Sequence, residues 1–400
     1  MTGTLQRRAV VIGAGIGGLT SALALAAKGW DVEVIERAQA LKPVGYALVV
    51  MPNAQRALAA IPGGIVPQIH ALAAIQGEGG IRNARGAWLS HNDAALALER
   101  YGHPAVAIRR ADLVRMLAAN LPADALRLHT VAVSVDAEAG EVMLDTGEVL
   151  RGDLVVAADG VRSMTRTTVF PGHPAPAFAG LTAWQALIPG DGLRTLPGNT
   201  WSRGGEFGTL PLADGYLYVV AEAAVDAPLP KRSGDEEKAE LMRRFGDLPA
   251  PSPDVIARID PAAIIRADIY SMRMPLPAFH RGLVAILGDA AHAMAPNLGQ
   301  GACQAIEDAV TLAYCVAAAD TVADGLADYT AARLPRTSLI VRRSEQIARL
   351  ATARNPVVRS LRNGMLRAMA LLGSSAALRQ ADFVMSWEHP AISPGGPPPS

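Results

Sequence analysis

The chain has 400 residues, half of them hydrophobic, and carries 37 basic and 37 acidic side chains, so its formal net charge is zero. That length supports about two or three domains around a sizeable core. The charge balance excludes a basic surface built for nucleic acid or an anionic membrane, leaving a small molecule as the expected partner.

The first predicted element is a strand, Ala9-Val10-Val11-Ile12, which runs into Gly13-Ala14-Gly15-Ile16-Gly17-Gly18 and then a helix from Leu19 to Ala27. The chain re-extends at Val32-Glu33-Val34-Ile35 and ends that strand on Glu36. Inside a complete βαβ unit the glycines have distinct uses. They allow a tight turn, close approach of backbone to a pyrophosphate at the helix N-terminus, and close helix–strand packing. An acid at the tip of the second strand suits a ribose; the plainer alternative is a glycine-rich turn with a surface glutamate. Arg7-Arg8 and the apolar stretch behind it imitate a signal peptide, but the glycines interrupt it and the βαβ unit accounts for every residue. No apolar run approaches the roughly 20 residues of a spanning helix.

Lys42 to Val50, which includes Val49, is placed to fold back over a cofactor, and Pro52-Asn53 opens a short helix ending near Ile61-Pro62-Gly63-Gly64. Residues 76–99 predict strands and turns. Arg109-Arg110-Ala111-Asp112 begins an amphipathic helix through Leu121. A hairpin is expected over 126–135 and 141–150 with Ala139-Gly140 at its turn. Leu154 to Ala158 reads as a strand buried on both faces, ending at Asp159-Gly160, with Arg166 shortly after.

From 171 to 269 short extended pieces alternate with Gly and Pro, and Asp214-Gly215 marks a hairpin in a mostly antiparallel second domain. Leu283 to Leu287 returns to buried-strand texture before Gly288-Asp289-Ala290-Ala291-His292. Pro296-Asn297-Leu298-Gly299-Gln300-Gly301 then opens a helical region reaching almost to Trp387. Cys303 and Cys315 share one helix of it, which fits neither a disulfide framework nor a metal site and points to a reducing cytoplasm. The Pro-, Gly- and Ser-rich tail after Pro390 is expected to be disordered. The loops at 159 and 288 and the first glycine turn all follow buried strands, so they converge at the carboxyl edge where such sheets bind ligands.

Taken together these motifs resemble the group A flavoprotein monooxygenases, the para-hydroxybenzoate hydroxylase type, from about residue 8 to about 345. The resemblance implies an α/β fold: a Rossmann-like FAD-binding domain with a parallel sheet, a smaller, mostly antiparallel substrate domain, and C-terminal helices. Its expected divisions are 1–75, 100–170 and 270–345 for FAD, 76–99 and 171–269 for substrate, 346–388 as a helical segment, and 389–400 as a tail. It gives Gly13, Gly15, Ile16, Gly18, Glu36 and Arg37 to the ADP half of FAD, and Val49 to the cofactor site. Arg110 faces the pyrophosphate, Asp159 and Arg166 belong to a motif for FAD and transient pyridine-nucleotide docking, and Asp289 meets the ribityl chain. The implied reaction is reduction of FAD by NADH or NADPH, capture of O2 as a flavin C4a-hydroperoxide, and transfer of one oxygen to an aromatic, heteroaromatic or polyketide-like substrate by a monomer or homodimer. No general base is assigned, because the flavin carries the chemistry. Pro296 offers a backbone carbonyl to the substrate.

Physics supports the last loop separately. Gly299 and Gly301 let backbone approach a flat ring, and the helix N-terminus behind them is worth about 0.3–1 kcal/mol to a nearby anion. On the 216–220 strand the pleat sends Tyr216 and Tyr218 the same way, making both candidate substrate contacts; a tyrosine packed under a helix is the equal alternative. Glu206 on the partner strand and Gln185 after Trp184 stand where relatives place basic residues, which argues against benzoate-like or urate-like substrates. His292 is expected to pack or cap, and Cys303 to act as a small hydrophobe. The arginines at 342, 343, 349, 354, 359, 362 and 367 are expected to be solvated on helices that pack against the sheet. Competing readings are a non-oxygenating flavin cyclase on the same scaffold, a NAD-dependent dehydrogenase, which leaves Asp159 and Asp289 without a joint purpose, and a flavin halogenase. The halogenase lacks its second tryptophan, at Ala186, and a lysine to match.

Overall fold

The computed structural model describes residues 6–41, 46–193 and 198–388; the segment 42–45 and the tail beyond 388 lie outside the described residues. One six-stranded sheet runs in the order His280–Arg281, Val284–Ile286, Leu154–Ala157, Arg8–Ile12, Asp31–Ile35, Leu126–Arg127, and all its pairings are parallel except the first. The central strands are continuous apolar runs because both faces are covered; Val10, Val156 and Ala285 are fully buried. Register aligns the strand ends. Ile12 pairs with Ala157 and Ile35, and Ala157 with Ile286. The glycine turn, Glu36, Asp159 and Gly288 therefore all emerge at one edge.

The second sheet has seven strands, ordered Ile265–Ser271, Ala177–Pro189, Tyr216–Ala224, Gly205–Pro211, Asn199–Trp201, Gly79–Asn83, Trp88–Asn92. It brings two strands from 79–92 together with strands from 177–271. Its alternation is strict. Trp184, Ala186, Ile188, Leu217, Val219 and Ala221 pack into one core under the helices Gly234–Phe245 and Ser252–Arg258, which leaves Gln185, Tyr218, Val220, Glu222 and Glu206 on the opposite face.

Several expectations are corrected. Residues 94–101 form a helix, capped by Asp93, whose side chain accepts from Ala95 N and Leu96 N. Ile65–Leu72 and Ser252–Arg258 were also not anticipated; the polar run Lys231 to Lys238, which suits an exposed loop or a helix start, opens the helix Gly234–Phe245. The hairpin over 126–150 is instead a three-stranded meander, Ala132–Asp136, Glu141–Leu144 and Val149–Arg151, because Gly147 at φ +85° turns the chain once more; Leu126–Arg127 leaves it to pair with Val34 and Ile35. The helix Val322–Ala351 runs unbroken across residue 346.

The helix Pro356–Ala370 is oriented against expectation. Arg362 is its inward side chain, 3% exposed, and donates to the Leu350 and Ala351 carbonyls at the end of the preceding helix, 2.8 and 3.1 Å away. Val357, Leu361 and Met365 face outward. The four carbonyls orphaned at a helix C-terminus explain the inversion, since a guanidinium satisfies them and an aliphatic side chain cannot.

Candidate active site

The glycine turn separates two kinds of requirement. An added Cβ would lie 2.6 Å from Ala158 O at Gly13 and 1.9 Å from Gly13 O at Gly18, so packing alone demands both glycines. At Gly15 it would meet nothing within 4 Å. Gly15 is the N-cap of the helix Ile16–Ala26, and no side chain caps that end, so its first N–H groups have no side-chain acceptor there. This is a cradle that packing does not explain and a pyrophosphate does. The Glu36 carboxylate, half-buried at the strand tip, accepts from Ala14 N and Ala38 N at 2.9 Å each, while Arg37 beside it is exposed.

Across the same edge Asp159 Oδ2 accepts from Thr165 N at 3.0 Å, and its buried Oδ1 has no donor among the described residues. Arg166 is buried and donates to Ala290 O and Val161 O, 3.0 and 2.9 Å away. It ties the Asp159 loop to the Asp289 loop. Solvent reaches Asp289, yet protein surrounds its carboxyl closely enough to raise the pKa, with His292 and Arg110 pulling the other way. Exposure and crowding together describe a group lining a cleft. Arg110 sits 5.6 Å from the Tyr46 ring and within electrostatic reach of Asp289. Gly299, at φ +63°, ends the turn Pro296–Leu298, and the helix Gly301–Ala318 behind it also starts without a side-chain cap.

The open face of the seven-stranded sheet meets this edge. Tyr218 is 6% exposed and packs with Ala47, Ala107 and Leu212, against the strand Ala47–Val50. Burial raises its pKa, helped by Tyr46 and Glu222. Tyr216 lies at the rim, 4.5 Å from the Arg109 guanidinium, which also pairs with Asp214. Gln185 is half-buried on the same face, opposite Val220. The Val49 carbonyl lies 3.6 Å from Cys303 Sγ. Register brings Glu206 directly opposite Glu222, a residue the sequence reading did not single out. Its signal was present: continuing the alternation of Tyr216 and Tyr218 lands on an acid inside Val219-Val220-Ala221-Glu222-Ala223. Asn297 Nδ2 donates to both acids, at 3.1 Å to Glu206 Oε1 and 2.8 Å to Glu222 Oε2, and Trp201 Nε1 donates to Glu206 Oε2 at 2.7 Å. Burial pushes Glu206 up to about 7 against those two donors. Burial and the Glu206 charge push Glu222 well above the usual carboxylate range.

Behind the 288 loop lies a different set of buried acids, also unforeseen. Asp308 Oδ2 accepts from Gly288 N at 3.0 Å and bonds His292 Nε2. Arg333 reaches Asp308 and Glu307, each at 2.6 Å. Asn53 Nδ2 joins Glu307 at 2.6 Å. His292 is thus held in a structural network, in line with its expected packing role. Among the described residues no group of His, Cys, Asp and Glu could hold a metal ion, and no helix is long and apolar enough to cross a membrane.

An uncapped glycine cradle, acids at the strand tips and a second glycine loop against a one-sided sheet define an FAD-binding oxidoreductase. Comparison agrees: the family described as FAD binding domain matches residues 6–344. The chain belongs to the FAD-dependent aromatic hydroxylases and is an enzyme of that kind. It is 34% identical to the aurachin C monooxygenase/isomerase of Stigmatella aurantiaca, over 90% of this chain and 94% of that protein. It is 31% identical to an FAD-dependent urate hydroxylase of Klebsiella pneumoniae, over 84% and 88%. The crystal structure of Klebsiella pneumoniae HpxO complexed with FAD and uric acid superposes with a TM-score of 0.84 at 27% identity, covering 95% of this chain and 96% of that one.

Proposed function

We propose that the chain is a single-component FAD monooxygenase that takes electrons from NADH or NADPH and places one oxygen of O2 on an aromatic, heteroaromatic or polyketide-like small molecule. The observation that carries the reading is the open space at Gly15 on the same strand edge as the unsatisfied Asp159 Oδ1 and the cleft-lining Asp289. In this reading Gly13, Gly15, Ile16, Gly18, Glu36 and Arg37 hold the adenosine diphosphate half. Arg110 neutralises the pyrophosphate charge, and Arg166 fixes the two loops that position Asp159 and Asp289. Bound FAD supplies the redox chemistry, accepting a hydride and activating O2 for transfer of one atom.

The chain's own part is to orient substrate and exclude water. The sheet face bearing Tyr218, Gln185 and Glu206 forms one wall. Val49, Pro296, Gly299 and Gly301 would hold backbone against the bound group, and the uncapped helix N-terminus at Gly301 would favour negative charge there. Tyr216, the other candidate substrate contact, stands at the exposed rim of that wall, 4.5 Å from the Arg109 guanidinium. The test is an anaerobic absorbance titration with NADH and then NADPH, followed by oxygen. Bleaching and recovery of the flavin band are expected. FAD that stays oxidised with both nucleotides, alone and with candidate substrates, overturns the reading in favour of a cyclase without redox turnover. A second reading, oxygen insertion followed by rearrangement, is favoured by the similarity to a monooxygenase/isomerase; it predicts a product that is an isomer of the simple hydroxylated ring.

A further inference from the structure

The helix Pro356–Ala370 packs on the strand Trp88–Asn92 and the helix Ser374–Met385, and turns its other side to solvent. Val357, Leu361, Gly364 and Ala368 recur at the spacing of one helical stripe, and Leu371 and Leu372 extend it past the last turn. Leu361 is 69% exposed, Leu371 88% and Leu372 71%, with Val357 and Met365 exposed alongside. An added Cβ at Gly364 would meet nothing within 4 Å, so no described residue covers the middle of the stripe. Single exposed apolar side chains are ordinary on a surface, whereas a contiguous stripe of them marks a contact surface without its partner.

Charge narrows the partner. The zero net charge of the whole chain hides a local excess: residues 346–381 contain no Asp or Glu and carry Arg349, Arg354, Arg359, Arg362, Arg367 and Arg379. Arg349 and Arg354 pair with Glu345 and Asp226, and Arg362 is turned inward. Among the described residues Arg359 and Arg367 form no ion pair, and the buried Arg359 Nε has no hydrogen-bond partner. Burial lowers the Arg362 pKa, and the Arg359 charge beside it adds to that. A second copy of this chain seated on the same stripe would set arginine against arginine, because a twofold interface must be complementary to itself. The tail beyond residue 388 has no acidic side chain to offer either. An anionic bilayer supplies both things the stripe lacks, an apolar layer and a negative surface.

We propose that the outward stripe of the helix Pro356–Ala370, together with its arginines, is a reversible docking surface for an anionic lipid bilayer, with Leu361, Met365 and Leu372 seated among the acyl chains. The helix lies in the headgroup plane. Among the described residues no helix is long and apolar enough to cross a membrane, so this attachment is peripheral. The stripe and the flavin loops belong to different elements, so docking and FAD binding are separable, and the inference stands apart from the proposed oxidation.

The test is co-sedimentation of the FAD-loaded full-length protein with vesicles of phosphatidylcholine alone and of phosphatidylcholine mixed with phosphatidylglycerol. Association at least about tenfold tighter with the mixed vesicles is expected, weakening as salt rises. L361S/L372S changes two solvent-facing side chains, so it should keep the parent's flavin absorbance and thermal midpoint while losing the mixed-vesicle association. Arg367→Gln should weaken association by about fivefold. V133S/M143S, on the exposed face of the three-stranded meander, should bind vesicles as the parent does. Equal association of the parent with both vesicles overturns the proposal, and so does undiminished association of L361S/L372S or its loss in V133S/M143S. A parent that forms dimers in sedimentation velocity, ignores vesicles and becomes monomeric as L361S/L372S assigns the stripe to a second copy and overturns the proposal as well.

Discussion

Two pairs of buried carboxylates meet opposite fates. Glu307 and Asp308 lie at 0% exposure, yet Arg333, Arg336 and His292 surround them. Burial pushes Asp308 up, but the His292 and Arg333 charges and their hydrogen bonds more than offset it and hold the acid down at about 2. Glu206 and Glu222 are scarcely less buried and face only neutral donors, so burial prevails and both rise. A cation within hydrogen-bond distance decides which way a buried acid goes. The first pair is a fastener for the 288 loop; the second holds its protons more tightly than ordinary carboxyls do.

The largest effect comes from removing the cation. Arg333→Met removes the cation shared by the two buried acids, leaving Glu307 to Arg336 and Asp308 to His292, and is expected to cost about 3 kcal/mol in denaturant unfolding. Because Asp308 also holds Gly288 N, FAD should dissociate more readily from this variant. A loss below about 1 kcal/mol, within the range of surface ion pairs, would show that the two pairs do not differ as described.

Asp289 belongs to neither class, since solvent reaches it and its role is toward a ligand. Asp289→Ala is expected to weaken FAD binding by at least about tenfold, read from the fluorescence of released FAD, while unfolding of the FAD-free protein changes by less than about 1 kcal/mol. Unchanged FAD affinity would remove Asp289 from the site.

The pH dependence should separate the pairs by sign. A carboxyl raised in the folded state favours folding while it is protonated, so the Glu206 contribution is fully present below its unfolded value near 4.5 and lost as pH rises toward about 7. Asp308 is lowered, so its contribution is present above its unfolded value near 3.8 and lost as pH falls toward about 2. Between pH 5 and 7.5 the thermal midpoint should fall in the parent and flatten in E206Q/E222Q; equal slopes would erase the contrast. The smallest expected effect is Tyr218→Phe, which should alter kcat/KM on the true substrate by a few-fold and leave FAD content intact. A change in FAD content without a kinetic change would move Tyr218 out of the substrate wall.

What the sequence disclosed follows the range over which each feature is encoded. Gly13, Gly15, Gly18 and Glu36 sit in one βαβ unit and their spacing marks them, although the backbone that Gly13 crowds, at Ala158, belongs to a later strand. Asp159 and Asp289 each end a buried strand, which hydrophobic texture marks. The Glu206–Glu222 pair depends on a register between two strands, and its bridging Asn297 arrives from far along the chain. Arg333 reads as one arginine among many until helix packing sets it against Asp308. Arg362 was misjudged outright, because the carbonyls it satisfies belong to another helix and leave no trace in its own periodicity. The helix at 94–101 was legible in hindsight, with an Asp cap before an alanine- and leucine-rich run.

The Arg362 guanidinium lies 5.2 Å from the Trp201 ring, and Trp201 holds Glu206. A chain is synthesised from its N-terminus, so every strand of the seven-stranded sheet is made before the helix that carries Arg362. During that interval the back of the Glu206 site has no cover from this helix. A protein cut after residue 353 would therefore keep all its flavin motifs, colour yellow on purification, and still carry an unfinished wall behind Trp201.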